Sequence, residues 1–139
     1  MKTEPSPVPY NPTMKTTAAI LIASALALVA VSGAGASSAV TVSPGTKLAL
    51  TDGPGFTITL KTATGKSFTS LKHGSYTIVV RDKSNIHNAH LMAPGGISKK
   101  TGVSFVGTVT WKVKFTKTGT LRYQCDPHVS SMHGSKKIV

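Results

Sequence analysis

The chain has 139 residues, enough for one small core and too few for a second. Its 16 Lys and Arg against 4 Asp and Glu give a formal charge of +12, which draws acidic proteins, polyanions or anionic surfaces. Those basic residues are scattered singly, as at Lys112 and Lys114, with no recognised nucleic-acid motif among them, so nucleic acid is not an expected partner.

Residues 1–13, "MKTEPSPVPYNPT", read as a disordered Pro-rich extension. Met14-Lys15, the apolar run from Ala18 to Val31 and the A-x-A pattern at Ala34-Gly35-Ala36 read together as a secretory signal peptide over 14–36. Membrane contact is then expected only through this segment, or through an anchor if it is not cleaved, and the protein is expected to be exported to a periplasmic or extracellular location. The single domain expected over 37–139 contains one cysteine, Cys125, which excludes an internal disulfide. The thiol needs another role.

From residue 43 onward, turn signals follow at short intervals: "SPG", "DGPG", "TG", "HG", "APGG" and a second "TG". Period-two alternation fills the gaps. Phe56, Ile58 and Leu60 alternate with Thr57 and Thr59, and Tyr76, Ile78 and Val80 with Thr77 and Val79. Val109, Trp111, Val113 and Phe115 alternate with Thr110, Lys112, Lys114 and Thr116, giving one apolar and one wet face. No helical period is present after residue 37. The pattern predicts an all-β chain, an antiparallel sandwich or small barrel with Trp111 in its core. In the last clear strand Leu121, Tyr123 and Cys125 share a face, so the thiol should point inward at the strand end.

The stretch "YQCDPHVSSMHG", residues 123–134, then places Cys125, His128 and Met132 in one loop. A thiolate, an imidazole and a thioether form a soft donor set, and one more imidazole would complete a trigonal Cys and two-His plane with a weak axial Met, an arrangement suited to redox copper. "SNIHNAHL" offers His87 and His90. In a regular strand these two face opposite sides, so one of them is the donor and spacing does not choose between them. His133 is a rival to Met132, although a second strong nitrogen there would favour a tetragonal cupric site. His73, beside a turn glycine, reads as an ordinary exposed residue, and Met92 as a packing residue.

The motifs "IHN" at 86–88 and "YQCDPHVSSMHG" at 123–134 resemble the cupredoxins, or blue copper proteins, over about residues 53–139. The resemblance implies a Greek-key antiparallel β-sandwich of about 7–8 strands, one copper ion, and single-electron shuttling between redox partners with no catalysis of its own. Its upstream histidine is followed directly by Asn, which maps the metal ligands onto His87, Cys125, His128 and Met132 and a supporting role onto Asn88. Asp126 departs from the Ser or Thr that often follows the cysteine, leaving an Asn88 amide to donate to its carboxylate. His87 should be enclosed, and His128, flanked by Pro127 and Val129, should carry electrons to an acidic redox partner protein of this monomer. The competing readings are an exported copper storage or delivery protein, a zinc site, an immunoglobulin-like module and a Cys–His catalytic pair. The module lacks its partner cysteine, and the pair lacks an orienting residue.

Overall fold

A computed structural model describes residues 39–139; the expected extension at 1–13 and signal segment at 14–36 lie outside the described residues. Ten strands follow in order: β1 (Thr41–Val42), β2 (Lys47–Asp52), β3 (Ile58–Thr62), β4 (Ser70–Leu71), β5 (Gly74–Asp82), β6 (His90–Ala93), β7 (Ile97–Lys100), β8 (Gly107–Phe115), β9 (Gly119–Gln124) and β10 (His133–Ile138). One sheet has the order β1-β4-β10-β9-β6-β7 and the other β3-β2-β5-β8. Between β9 and β10 the chain makes a single 3-10 turn, Asp126–His128. Among the described residues no helix is long and apolar enough to cross a membrane.

The all-β sandwich expected from the sequence is present, with ten strands in place of seven or eight and two mixed sheets in place of antiparallel ones. β1 with β4, β4 with β10, and β2 with β5 run parallel. The added strands β1 and β4 are two residues long, too short to show any period in sequence.

Period-two burial explains the long strands. Tyr76, Ile78 and Val80 of β5 and Trp111, Val113 and Phe115 of β8 turn into one core with Leu48, Leu50, Leu121, Tyr123 and Cys125. Each such large apolar side chain contributes about 1.5–3 kcal/mol by leaving water. Lys112 and Lys114, on the other face of β8, are exposed. Tyr76 anchors one end by donating its hydroxyl to the carbonyls of Val42 and Lys72. At the other end Gly134, opposite Tyr123 in the β9–β10 ladder, is required because a Cβ there would run into the tyrosine ring.

Phe56 does not follow the expected alternation. Gly53 and Gly55, with φ of 70° and 72°, bend the β2–β3 connection before β3 starts at Ile58, so Phe56 leaves the core face and lies 60% exposed.

Candidate metal centre

Three connections meet at one end of the sandwich. The β5–β6 connection carries His87 and Asn88, the β9–β10 connection carries Cys125, His128 and Met132, and the β2–β3 connection carries Phe56. Their alignment follows from the ladders. β6 and β10 both pair with β9, and Gln124, the last residue of β9, lies opposite His90 on one side and His133 on the other. Cys125 leaves β9 immediately after that row, beside the segment containing His87 and Asn88.

The Cys125 sulfur lies 3.7 Å from His87 Nδ1 and 3.5 Å from His128 Nδ1, and the two ring nitrogens are 3.0 Å apart. His87, Cys125 and His128 thus form a group that could hold a metal ion. Two ring nitrogens this close need a shared proton or a shared cation between them. The centre of the triangle lies about 2 Å from every donor, the length of a metal–nitrogen bond and slightly short of a metal–sulfur bond, so one ion fits with little adjustment.

Among solved structures, a reduced rusticyanin matches at 19% identity and a TM-score of 0.46, over 71% of this chain and 84% of that one. A reduced amicyanin mutant matches at 19% identity and a TM-score of 0.44, over 68% of this chain and 84% of that one. No family model and no curated protein matches the sequence.

The loop from Cys125 to Met132 is tied by its own backbone. Cys125 N–H donates to the Met132 carbonyl, His128 N–H to the Cys125 carbonyl, and Met132 N–H to the His128 carbonyl, at 2.9, 3.2 and 2.8 Å. Cys125, His87 and Met132 are buried, and His128 is half-buried. Burial pushes the Cys125 thiol above its ordinary range, opposed by the Asn88 amide, whose N–H lies 3.4 Å from the sulfur. A cation in the pocket would reverse that balance.

The other sequence candidates are directed elsewhere. His87 lies in the irregular segment before β6, and His90, the first residue of β6, points its ring at Asp126 and Ser98. His133 is exposed, with Nδ1 against the Val129 carbonyl. His73 is exposed, as expected. Met92 is half-buried in β6 between Ser98 and Arg122.

Asn88 makes the bridge anticipated for it. Its side-chain carbonyl accepts the Asp126 N–H at 2.7 Å, and its amide donates to Asp126 Oδ2 at 3.0 Å and to the Thr101 carbonyl at 3.4 Å. Partial burial pulls the Asp126 carboxyl upward, but hydrogen bonds from His90, Gln124 and Asn88 hold it down at about 2.

Two features escaped the sequence reading. The first is Phe56, whose ring meets the His87 and His128 rings edge-on at centroid distances of 5.4 and 4.9 Å. The surrounding "DGPG" turn signal was the available clue. The second is the placement of acids. The chain's acidic residues are Glu4, Asp52, Asp82 and Asp126, so every carboxylate side chain of the described residues sits at this end. Asp52 and Asp82 end β2 and β5 as register partners and are buried. Asp82 accepts from the Thr101 hydroxyl at 2.8 Å, while neither Asp52 oxygen has a hydrogen-bond partner. Burial and then the neighbouring Asp82 push the Asp52 carboxyl up to about 6, against the pull of His87.

Proposed function

We propose that this protein is a mononuclear blue copper protein that shuttles single electrons between redox partners, with His87, Cys125 and His128 as equatorial ligands and Met132 as the axial one. The observation that carries this reading is the three-donor triangle, one buried sulfur and two ring nitrogens all within 4.8 Å. Copper held there would supply the chemistry, cycling between its cupric and cuprous forms and taking or giving one electron.

The chain's own residues do the rest. The loop's internal hydrogen bonds and the Asn88 bridge hold the donors in place, so little rearrangement accompanies a change of charge. Pro127 has no N–H and contributes no donor to the sulfur, which leaves more charge on it and lowers the potential. His128 is the more exposed of the two imidazoles, and exposed Val129, Ile86 and Phe56 make an apolar rim around it. A redox partner seats on this rim. Among the described residues the carboxylates lie at or beneath the centre and the remaining charged side chains are basic, so the net positive charge attracts an acidic partner to the molecule with a rate that falls as salt rises. Removal of residues 14–36 on export, and a periplasmic or extracellular location, complete the reading.

Copper loading of the purified chain tests it. An intense visible band from thiolate-to-metal charge transfer, with a matching cupric paramagnetic resonance spectrum, is expected, and Cys125→Ser should abolish both. A pale cupric complex would instead mark a storage or delivery protein.

A further inference from the structure

We infer that His90 is a positioning residue of the metal centre, acting through Asp126 and Asn88 on the Cys125 sulfur. His90 holds no place in the donor triangle, yet a continuous hydrogen-bonded path runs from it to the sulfur. Its Nε2 meets the Ser98 hydroxyl at 3.0 Å and its Nδ1 meets Asp126 Oδ1 at 2.8 Å. Asp126 is bound twice to the Asn88 side chain, at 2.7 and 3.0 Å, and the Asn88 N–H points at the sulfur.

The arrangement is built across three strands. Lys100 of β7, His90 of β6 and Gln124 of β9 occupy one register row. All three aim at the same carboxylate: Gln124 Nε2 lies 3.0 Å from Oδ1 and Lys100 Nζ 4.0 Å from Oδ2. Asp126, with its side chain 33% exposed, is the least buried acid of the described residues and follows Cys125 directly. An uncompensated negative charge there favours the more positive oxidation state of a neighbouring metal. His90, 14% exposed, donates into that charge and also fixes the carboxylate against Asn88. Its two effects are therefore to raise the potential relative to a site with a bare Asp126 and to hold the cysteine loop closed.

The redox half of this inference rests on the electron-carrier reading; the loop-holding half does not. The test uses the full chain as wild type, His90→Gln and His90→Asn. Gln keeps a polar group near Ser98 but puts no donor at the Nδ1 position, whereas the Asn amide can occupy that position. In metal-free protein, alkylation of Cys125 by iodoacetamide at neutral pH is expected to be on the order of tenfold faster in His90→Gln, the scale of losing one hydrogen bond to a charged group, and near the wild-type rate in His90→Asn. In copper-loaded protein, the potential of His90→Gln is expected to fall by about a tenfold change in the reduction equilibrium, about 59 mV for one electron, with His90→Asn restoring it. Asp126→Asn should shift the potential the opposite way, a sign reversal that simple loosening of the fold does not produce. Unchanged alkylation in His90→Gln, or a potential that stays or rises, overturns the inference. A wild-type protein without the charge-transfer band overturns the electron-carrier reading, and the alkylation rates still decide the role of His90.

Discussion

The backbone N–H of Asn88 stands 3.4 Å from the Cys125 sulfur, while its side chain is hydrogen-bonded to both the backbone and the carboxylate of Asp126, the next residue. One residue thus fixes the sulfur and the loop that carries it, from a segment whose other neighbour is His87. The distance between the upstream imidazole and the thiol is set by this clamp more than by the sheet ladders, because His87 lies outside the regular strands.

Asn88→Ala keeps the backbone N–H but removes the side-chain half of that clamp, leaving the Asp126 N–H without its acceptor and Asp126 Oδ2 without the amide donor. Each unpaired group costs about 1–3 kcal/mol when water cannot replace it, and Asp126 is partly open, so a total loss of about 2–3 kcal/mol is expected. Urea denaturation of the metal-free protein measures it as a lower midpoint at unchanged slope.

Asp52 makes stability depend on pH in the sense opposite to an ordinary paired acid. Its folded-state value, about 6 against an ordinary 3.8, lies above the unfolded one. Its protonated form is favoured by folding, so its contribution is complete below about pH 4 and is lost as pH rises through 6. A shift of that size corresponds to roughly 3 kcal/mol at pH 7. Asp52→Asn, which keeps the shape and removes the charge, should therefore be more stable than wild type at pH 7 by up to that amount and equal to it near pH 4. Denaturation midpoints of the two metal-free proteins at pH 4, 5, 6 and 7 test this. Asp126, held at about 2, contributes in another window, losing its stabilisation only as pH falls from about 4 toward 2.

The parts of this site that are legible in sequence are the local ones. Strand parity puts Cys125 inward with Leu121 and Tyr123, and a single turn after it brings His128 and Met132 back. His87 and His90 are not separable by parity, since the chain is irregular from Lys83 to Ala89. Phe56 follows strand alternation with Ile58 and Leu60, yet backbone bends at two glycines remove it from that face. The pairing of Asp52 with Asp82 depends on a parallel contact between β2 and β5, separated by two further strands in sequence, and no local pattern encodes such a contact. The scarcity of acids is the one global clue. A chain with four carboxylate side chains places three of them at the end that carries the His87, Cys125 and His128 group, which could hold a metal ion.

Because burial raises the Cys125 thiol above its ordinary value, the metal-free protein carries that proton at neutral pH, and a metal ion must displace it. Copper binding is expected to release about one proton, and affinity to rise about tenfold per pH unit between about pH 7 and 9. Calorimetric titration in two buffers of different ionisation enthalpy counts the protons. Cys125→Ser should lose this proton release.

Met132 is buried in the loop between β9 and β10, so Met132→Leu keeps the apolar volume and should cost less than about 1.5 kcal/mol. In the proposed site this substitution removes the weak axial donor from the cupric form. The colour is expected to remain and the potential to rise. Spectroelectrochemistry of the copper-loaded variant checks both.

Phe56 covers the two imidazoles edge-on while its own outer face remains in water. Such contacts orient rings and exclude solvent, and they are worth about 0.5–1.5 kcal/mol beyond the area buried. The β2–β3 connection keeps its fold through Gly53 N–H to the Thr57 carbonyl and Thr57 N–H to the Gly55 carbonyl, neither of which needs the ring. Phe56→Ala should therefore cost little stability but open the rim over His87, which is otherwise 1% exposed. In the metal-free protein, acylation of His87 by diethyl pyrocarbonate, read by peptide mass spectrometry, is expected to be several-fold faster in Phe56→Ala than in wild type, while Phe56→Leu remains intermediate. Exposed His73, far along the chain in the turn before β5, serves as the internal reference and should react at the same rate in all three proteins. If His87 reacts no faster without the ring, Phe56 is not what excludes water from the centre, and the apolar rim has to be attributed to Ile86 and Val129 alone.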